Sequence, residues 1–225
     1  MNKKVVIVHT VLSTVEILKK IFLEILPEVK IINIVDESLL LDVIKAGKIT
    51  KKVSKKLFNY FVFAEETGAD AILNACSSVA EVVDLSRPFV NIPIFKIDEP
   101  MAEKSIKLAN NIGIIATLMT TLDPTSRLIK NKSIELRKEV KIEERLCKGA
   151  FEALVTGDIK KHDELIVKNI EDISNRVDVI VLAQATMARI IPQLSNQIKE
   201  KVLSSPRLGV KQIKKYYLSK NLLKT

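Results

Sequence analysis

Asn74, Cys76, Ser77 and Ser78 close an apolar run in Asp70-Ala-Ile-Leu-Asn-Ala-Cys-Ser-Ser-Val79. A buried parallel strand reads this way when its C-terminal end opens onto a polar site. A cysteine placed there can act as a base or as a nucleophile once its thiol ionises. The pattern predicts a helix over 79–85, whose N-terminus would favour the thiolate. A second stretch, Val177-Asp-Val-Ile-Val-Leu-Ala-Gln-Ala-Thr-Met187, has the same design without a cysteine. Set in step from Asp70 and Asp178, the two put Gln184 opposite Cys76, with Thr186 just beyond. Further hydroxyls follow other strand patterns: Thr10 and Ser13 early in the chain, and Thr117, Thr120 and Thr121 later. Hydroxyls and backbone N–H groups at helix starts suit a small carboxylate.

Other chemistries lack their residues. With six glycines there is no GxGxxG and no Walker loop. The two histidines, His9 and His162, are too few and too far apart to make a metal site. His9 ends a strand that should neighbour the Cys76 strand, so a Cys76–His9 pairing is conceivable; otherwise His9 lines the same opening. His162, within Lys160-Lys-His-Asp-Glu164, reads as a solvated or capping residue. Cys147 falls at the apolar phase of a helix and reads as a small core residue. Two cysteines make no disulfide framework.

The chain of 225 residues is 47% hydrophobic and 28% charged, the composition of a globular domain or two. No apolar run approaches the roughly 20 residues that span a bilayer, and no cleavable signal is evident, so a cytoplasmic protein is expected. The net charge of +9 raises a nucleic-acid partner. Against it, the lysines are dispersed at helical spacing, aromatics are few and Trp is absent. An anionic small-molecule substrate fits the charge equally well, and no nucleic-acid or membrane partner is expected.

Strand and helix patterns alternate along the chain. Strands are expected at 5–9, 30–35, 70–75 and 94–97, with helices at 14–26, 36–44, 50–67 and 100–110. The pattern then restarts with a strand at 112–117 and a helix at 120–130, the latter with Asp123-Pro124 in its first turn. A strand at 139–143, helices at 146–156 and 158–175, a strand at 178–183 and a helix at 186–197 follow. A short strand at 202–204 and a terminal helix from Pro206 complete the chain. Alternation implies parallel βαβ units, and the restart implies an internal duplication of about 108 residues. The expected fold is α/β: two pseudo-symmetric, doubly wound parallel-sheet lobes, 1–98 plus 206–225 and 99–205, with the site in the cleft between them.

Three segments then carry a resemblance: Asn-Ala-Cys-Ser-Ser (74–78), Ile-Ala-Thr-Leu-Met-Thr-Thr-Leu-Asp-Pro-Thr (115–125) and Ser-Ser-Pro-Arg-Leu-Gly (204–209). In this order they resemble the aspartate/glutamate/hydantoin racemase superfamily, which also holds maleate isomerases and arylmalonate decarboxylases. The resemblance implies two lobes about one active site, no cofactor, and often a homodimer. It also implies a cysteine from each lobe flanking the substrate α-carbon, one removing a proton and the other delivering one. The first cysteine maps onto Cys76. Carboxylate-binding hydroxyls map onto Thr10, Ser77, Ser78, Thr117 and Thr120. The second cysteine is absent from Ala183-Gln-Ala-Thr186, and Gln184 cannot exchange a proton at neutral pH.

The expected function is a cofactor-independent isomerase for a small amino or carboxylic acid, with Cys76 as base or nucleophile. Thr10, Asn74, Ser77, Ser78, Thr117, Thr120 and Thr186 would hold the acid, and Gln184 would orient its other end. A single-cysteine decarboxylase or lyase, and an inactive small-acid binding protein, stand as alternatives.

Overall fold

Val5, Val6, Ile7 and Val8 are all fully buried in strand β1 (Lys4–His9). A strand covered on both faces takes parallel neighbours, and β1 has two, β2 (Lys30–Val35) and β3 (Ala71–Asn74). Strand β4 (Ile94–Lys96) pairs with the other edge of β3, giving the order β2-β1-β3-β4. The second half of the chain does the same with β5 (Asn111–Ala116), β6 (Lys141–Leu146), β7 (Val179–Leu182) and β8 (Val202–Ser204). Their order is β6-β5-β7-β8, again parallel throughout. This computed structural model describes residues 3–222.

The duplication is visible in individual hydrogen bonds. Asp70 Oδ2 accepts from the Lys4 N–H at 2.8 Å, and Asp178 Oδ2 accepts from the Asn111 N–H at 3.1 Å. Each aspartate thus ties the start of a central strand to the next. At the other end, Ala75 N–H donates to Val8 (2.9 Å) and Ala183 N–H donates to Ile115 (3.0 Å). Asp70 and Asp178 lie at the strand ends opposite to Cys76 and Gln184, so their role is register and not chemistry.

The described residues divide into two compact units, one comprising the chain up to Ile97 together with the part from Pro206 onward, the other Asp98–Ser205. Helices α1 (Ser13–Ile25), α2 (Glu37–Ala46), α3 (Lys51–Glu66) and α4 (Glu81–Ser86) belong to the first. Helices α5 (Glu99–Leu108), α6 (Met119–Glu135), α7 (Ala150–Val155), α8 (Ile159–Ile173) and α9 (Asn196–Lys199) belong to the second. Helix α5 follows β4 yet packs in the second unit, where Lys132 of α6 meets Glu99 at 2.8 Å. Helix α10 (Ser205–Ser219) returns to the first unit, with Tyr216 edge-on to Phe95 and Lys214 Nζ donating to the Ile25 carbonyl. The apolar sides of α2 and α3 (Leu39, Val43, Val53, Leu57, Phe61) cover one face of the first sheet. Ile166, Ile170 and Ile173 of α8 do so in the second. Among the described residues no helix is long and apolar enough to cross a membrane.

Several expected elements differ. The helix expected at 79–85 is a three-residue 3-10 turn, Ser77–Val79, followed by the six-residue α4. The helix expected at 186–197 is a 3-10 segment, Ala185–Gln193, and then the short α9. Pro192 lacks the N–H of an α-helical turn and would clash with the preceding turn's carbonyl. Helix α6 starts one residue earlier and ends five residues later than expected, with Pro124 inside it. His162 is buried, not solvated: Nδ1 lies 2.8 Å from the Ala150 carbonyl, joining α8 to α7, and Asp158 is the cap.

Asp36 closes β2 and caps α2, its Oδ1 accepting from Ser38 N–H and Oγ–H. Its Oδ2 accepts from Tyr60 Oη–H and meets Lys56 Nζ, each at 2.8 Å. Burial alone would raise its pKa, but Lys56, Ser38 and Tyr60 outweigh this and hold it at about 2, against an ordinary 3.8. A depressed folded-state pKa stabilises above the unfolded value and is lost as pH falls through the folded one. Titration from about pH 4 to about pH 2 should therefore remove on the order of 2 kcal/mol. In urea melts across that range, Asp36→Asn should lack this component while starting from a lower stability.

Gly113 lets β5 lie close to α8. A Cβ there would sit 2.5 Å from Ile173 Cδ1 and 3.1 Å from Val177 Cγ2. Gly113→Ala is expected to cost about 1–2 kcal/mol by overpacking. Ile173→Val removes the offending methyl, so the double variant should recover part of the loss, as a double-mutant cycle in urea would measure.

Candidate active site

Parallel pairing brings strand C-termini together. In the first sheet Val8 is in register with Asn74, and Asn74 with Lys96. Thr10 therefore leaves β1 beside the Asn74–Ser78 segment that leaves β3. Thr10 is buried and its Oγ1 has no hydrogen-bond partner among the described residues. Asn74 Nδ2 donates to the Cys76 carbonyl at 2.8 Å, which fixes the orientation of the amide. Its buried Oδ1 then has no partner. A buried polar atom left unsatisfied costs on the order of 1–3 kcal/mol and is rare in folded chains. Two such atoms lie at this strand end, in the segment that holds Cys76 and in the one beside it.

Cys76 is half-buried, outside any disulfide, with an extended backbone (φ −136°, ψ 119°). Ser77 and Ser78 are buried in the 3-10 turn after it. The short turn and short α4 do not supply the long-helix dipole expected behind the thiol. His9 is not its partner either. The His9 Nδ1 lies 2.7 Å from Thr14 Oγ1, and Nε2 lies 2.9 Å from Asn33 Oδ1, so both ring nitrogens are engaged. Burial lowers its pKa, against an opposing pull from the Asn33 contact. Cys147 is fully buried in the second core, its thiol pushed up to about 12 by burial.

One residue at this strand end went unread in the sequence. Lys96 is buried, and its Nζ donates to Asp84 Oδ2 at 2.8 Å, an aspartate also bound by Arg87 at 3.0 Å. The only signal was a lysine ending a short apolar strand.

In the second unit, Gln184 follows β7 and Thr117 follows β5, and the structure joins them. Gln184 Oε1 accepts from the Thr117 N–H at 2.9 Å, and Nε2 donates to Thr117 Oγ1 at 2.7 Å. Thr120 Oγ1, in the first turn of α6, and the deeper Thr125 Oγ1 have no partner among the described residues. Thr186 is half-buried in the 3-10 segment. Among the described residues no cluster of three His, Cys, Asp or Glu could hold a metal.

Residues 5–213 match the Asp/Glu/Hydantoin racemase family model. The chain belongs to this family. Its fold is similar to a glutamate racemase isoform from Bacillus anthracis, at 16% identity over 98% of this chain and 84% of that one, TM-score 0.77. It is similar also to the allantoin racemase of Klebsiella pneumoniae, at 14% identity over 97% and 89% of the two chains, TM-score 0.72. The aspartate racemase of Picrophilus torridus matches at 17% identity over 95% and 94%, TM-score 0.71. Among curated proteins no significant match is found. Identities this low speak for the fold, and membership makes the chain a racemase-like isomerase in outline.

Proposed function

We propose that the protein is a cofactor-independent isomerase of a small amino or carboxylic acid, with Cys76 as its base or nucleophile. The observation that carries this reading is the pair of buried, unpartnered atoms beside Cys76, Thr10 Oγ1 and Asn74 Oδ1. A hydroxyl can donate to a carboxylate, whereas Asn74 Oδ1 can only accept and so suits an ammonium. Ser77 and Ser78 add hydroxyls in the same segment. In the same reading Thr117, Thr120 and Thr186 of the second unit are carboxylate-holding hydroxyls.

The reaction starts from the Cys76 thiolate, which takes the proton from the substrate α-carbon; the electron pair of that C–H bond passes into the carboxylate as an enediolate. Return of the proton from Sγ to the same face regenerates substrate. Inversion needs a proton delivered to the other face, which a single thiol cannot supply, so water must. With an unsaturated acid the thiolate instead adds to the double bond, and rotation followed by expulsion of the thiolate gives the other isomer.

Gln184 supports a second reading, in which the protein is a one-base lyase or decarboxylase, or only binds the acid. Proton NMR of α-hydrogen exchange in D₂O separates these, with aspartate, glutamate, maleate and an arylmalonate as the panel. Exchange or isomerisation supports the isomerase. Loss of CO₂ supports the decarboxylase. Binding with no reaction of any panel member leaves a binding protein and ends the enzymatic reading.

A further inference from the structure

The Thr117–Gln184 pair has a polarity that its hydrogen bonds determine. A backbone N–H can only donate, so the Gln184 atom facing Thr117 N, at 2.9 Å, is the carbonyl oxygen. The amide nitrogen must then face Thr117 Oγ1, at 2.7 Å, where it can only donate. The hydroxyl is therefore an acceptor toward Gln184, and its own proton points elsewhere. No acceptor among the described residues takes that proton. Thr117 is buried, and its two bonds to Gln184 hold it at the C-terminal end of β5.

We propose that Gln184 is a positioning residue: it turns the Thr117 hydroxyl into a dedicated donor for a ligand carboxylate. Gln184 acts through Thr117 and moves no proton itself. The inference rests on the small-acid reading above and adds to it why an amide stands at this position. A glutamine and a glutamate of the same length differ here in one respect. The glutamate can accept from both Thr117 groups, which draws the hydroxyl proton inward and presents lone pairs to the ligand. Gln184→Glu should thus reverse the polarity of Thr117 while keeping the side-chain length.

The test is calorimetric binding of L-aspartate, L-glutamate and maleate at pH 8 to wild type, Gln184→Glu, Thr117→Val and the double variant. Circular dichroism and melting temperature confirm that each is folded. Gln184→Glu is expected to weaken the best-bound acid at least about tenfold, the scale of one charge-assisted hydrogen bond. On the Thr117→Val background the same change should cost less than about twofold, because the hydroxyl it acts through is gone. Gln184→Met, which has similar volume and no polar atoms, guards against misfolding of the glutamate variant; it should weaken binding less than Glu does. An equal loss with and without the Thr117 hydroxyl would reveal simple charge repulsion and overturn the inference alone, as would an unchanged affinity in Gln184→Glu. If wild type binds none of the three acids, the small-acid reading itself fails and the inference falls with it.

Discussion

Cys76→Ala is expected to reduce α-hydrogen exchange or isomerisation at least about 10³-fold, the usual cost of removing a covalent or proton-transferring group. The melting temperature should hardly move. Cys76 is half-buried and packs at the margin of the first core, so truncating its single sulfur to alanine should cost under about 1 kcal/mol. Cys76→Ser should be nearly as inactive, because a serine hydroxyl ionises far less readily than a thiol, and His9, held by Thr14 and Asn33, is not there to take its proton. Cys147→Ala should behave in the opposite way, with full activity and a loss of about 1–2 kcal/mol, since that thiol is fully buried in a core. Rates from NMR and thermal melts of the three variants make the comparison. A Cys76→Ala protein that still exchanges the α-proton would remove Cys76 from the mechanism.

What could be read in the sequence follows from what each residue touches. The central strands β1, β3, β5 and β7 are buried on both faces, so their apolar runs stand out without partners being known. The edge strand β6, Lys141–Leu146, carries Glu143, Glu144 and Arg145, and was expected at 139–143. Its extent is set by pairing with β5, from Asn111–Lys141 to Ala116–Leu146, which no local pattern encodes. The helix phase that buries His162 was present, since Ile166, Ile170 and Ile173 recur at the same spacing, but its charged neighbours pointed to solvent. The polar residues at the strand ends were legible because hydrophilic side chains interrupt apolar runs there. Their partners were not: Thr117 and Gln184 lie far apart in sequence, and only the β5–β7 register brings them together.

Gly209 gives the largest expected change in stability. It belongs to the Ser-Ser-Pro-Arg-Leu-Gly segment whose position suggested the family, and the structure supplies a physical reason for glycine there. Helix α10 presses onto the chain leaving β4. A Cβ at position 209 would lie 2.9 Å from Ile97 Cγ1, 3.1 Å from Ile97 O and 3.2 Å from Ile97 Cα. The first neighbour is a side-chain atom that can shift, but the other two are backbone of the strand–helix junction. Alanine is the better helix former by about 1 kcal/mol, a gain that opposes the clash. Gly209→Ala should therefore lose only roughly 1–2 kcal/mol, whereas Gly209→Val, with two further methyls and no helix-propensity gain of that size, should lose roughly 3 kcal/mol or more. The clash also predicts where the damage appears. Displacing α10 loosens Tyr216 from Phe95 and Tyr217 from its fully buried site. Tyrosine fluorescence and hydrogen exchange in α10 should thus change before the second unit's amides do. A Gly209→Val protein that melts with wild type would mean that α10 does not need this close approach.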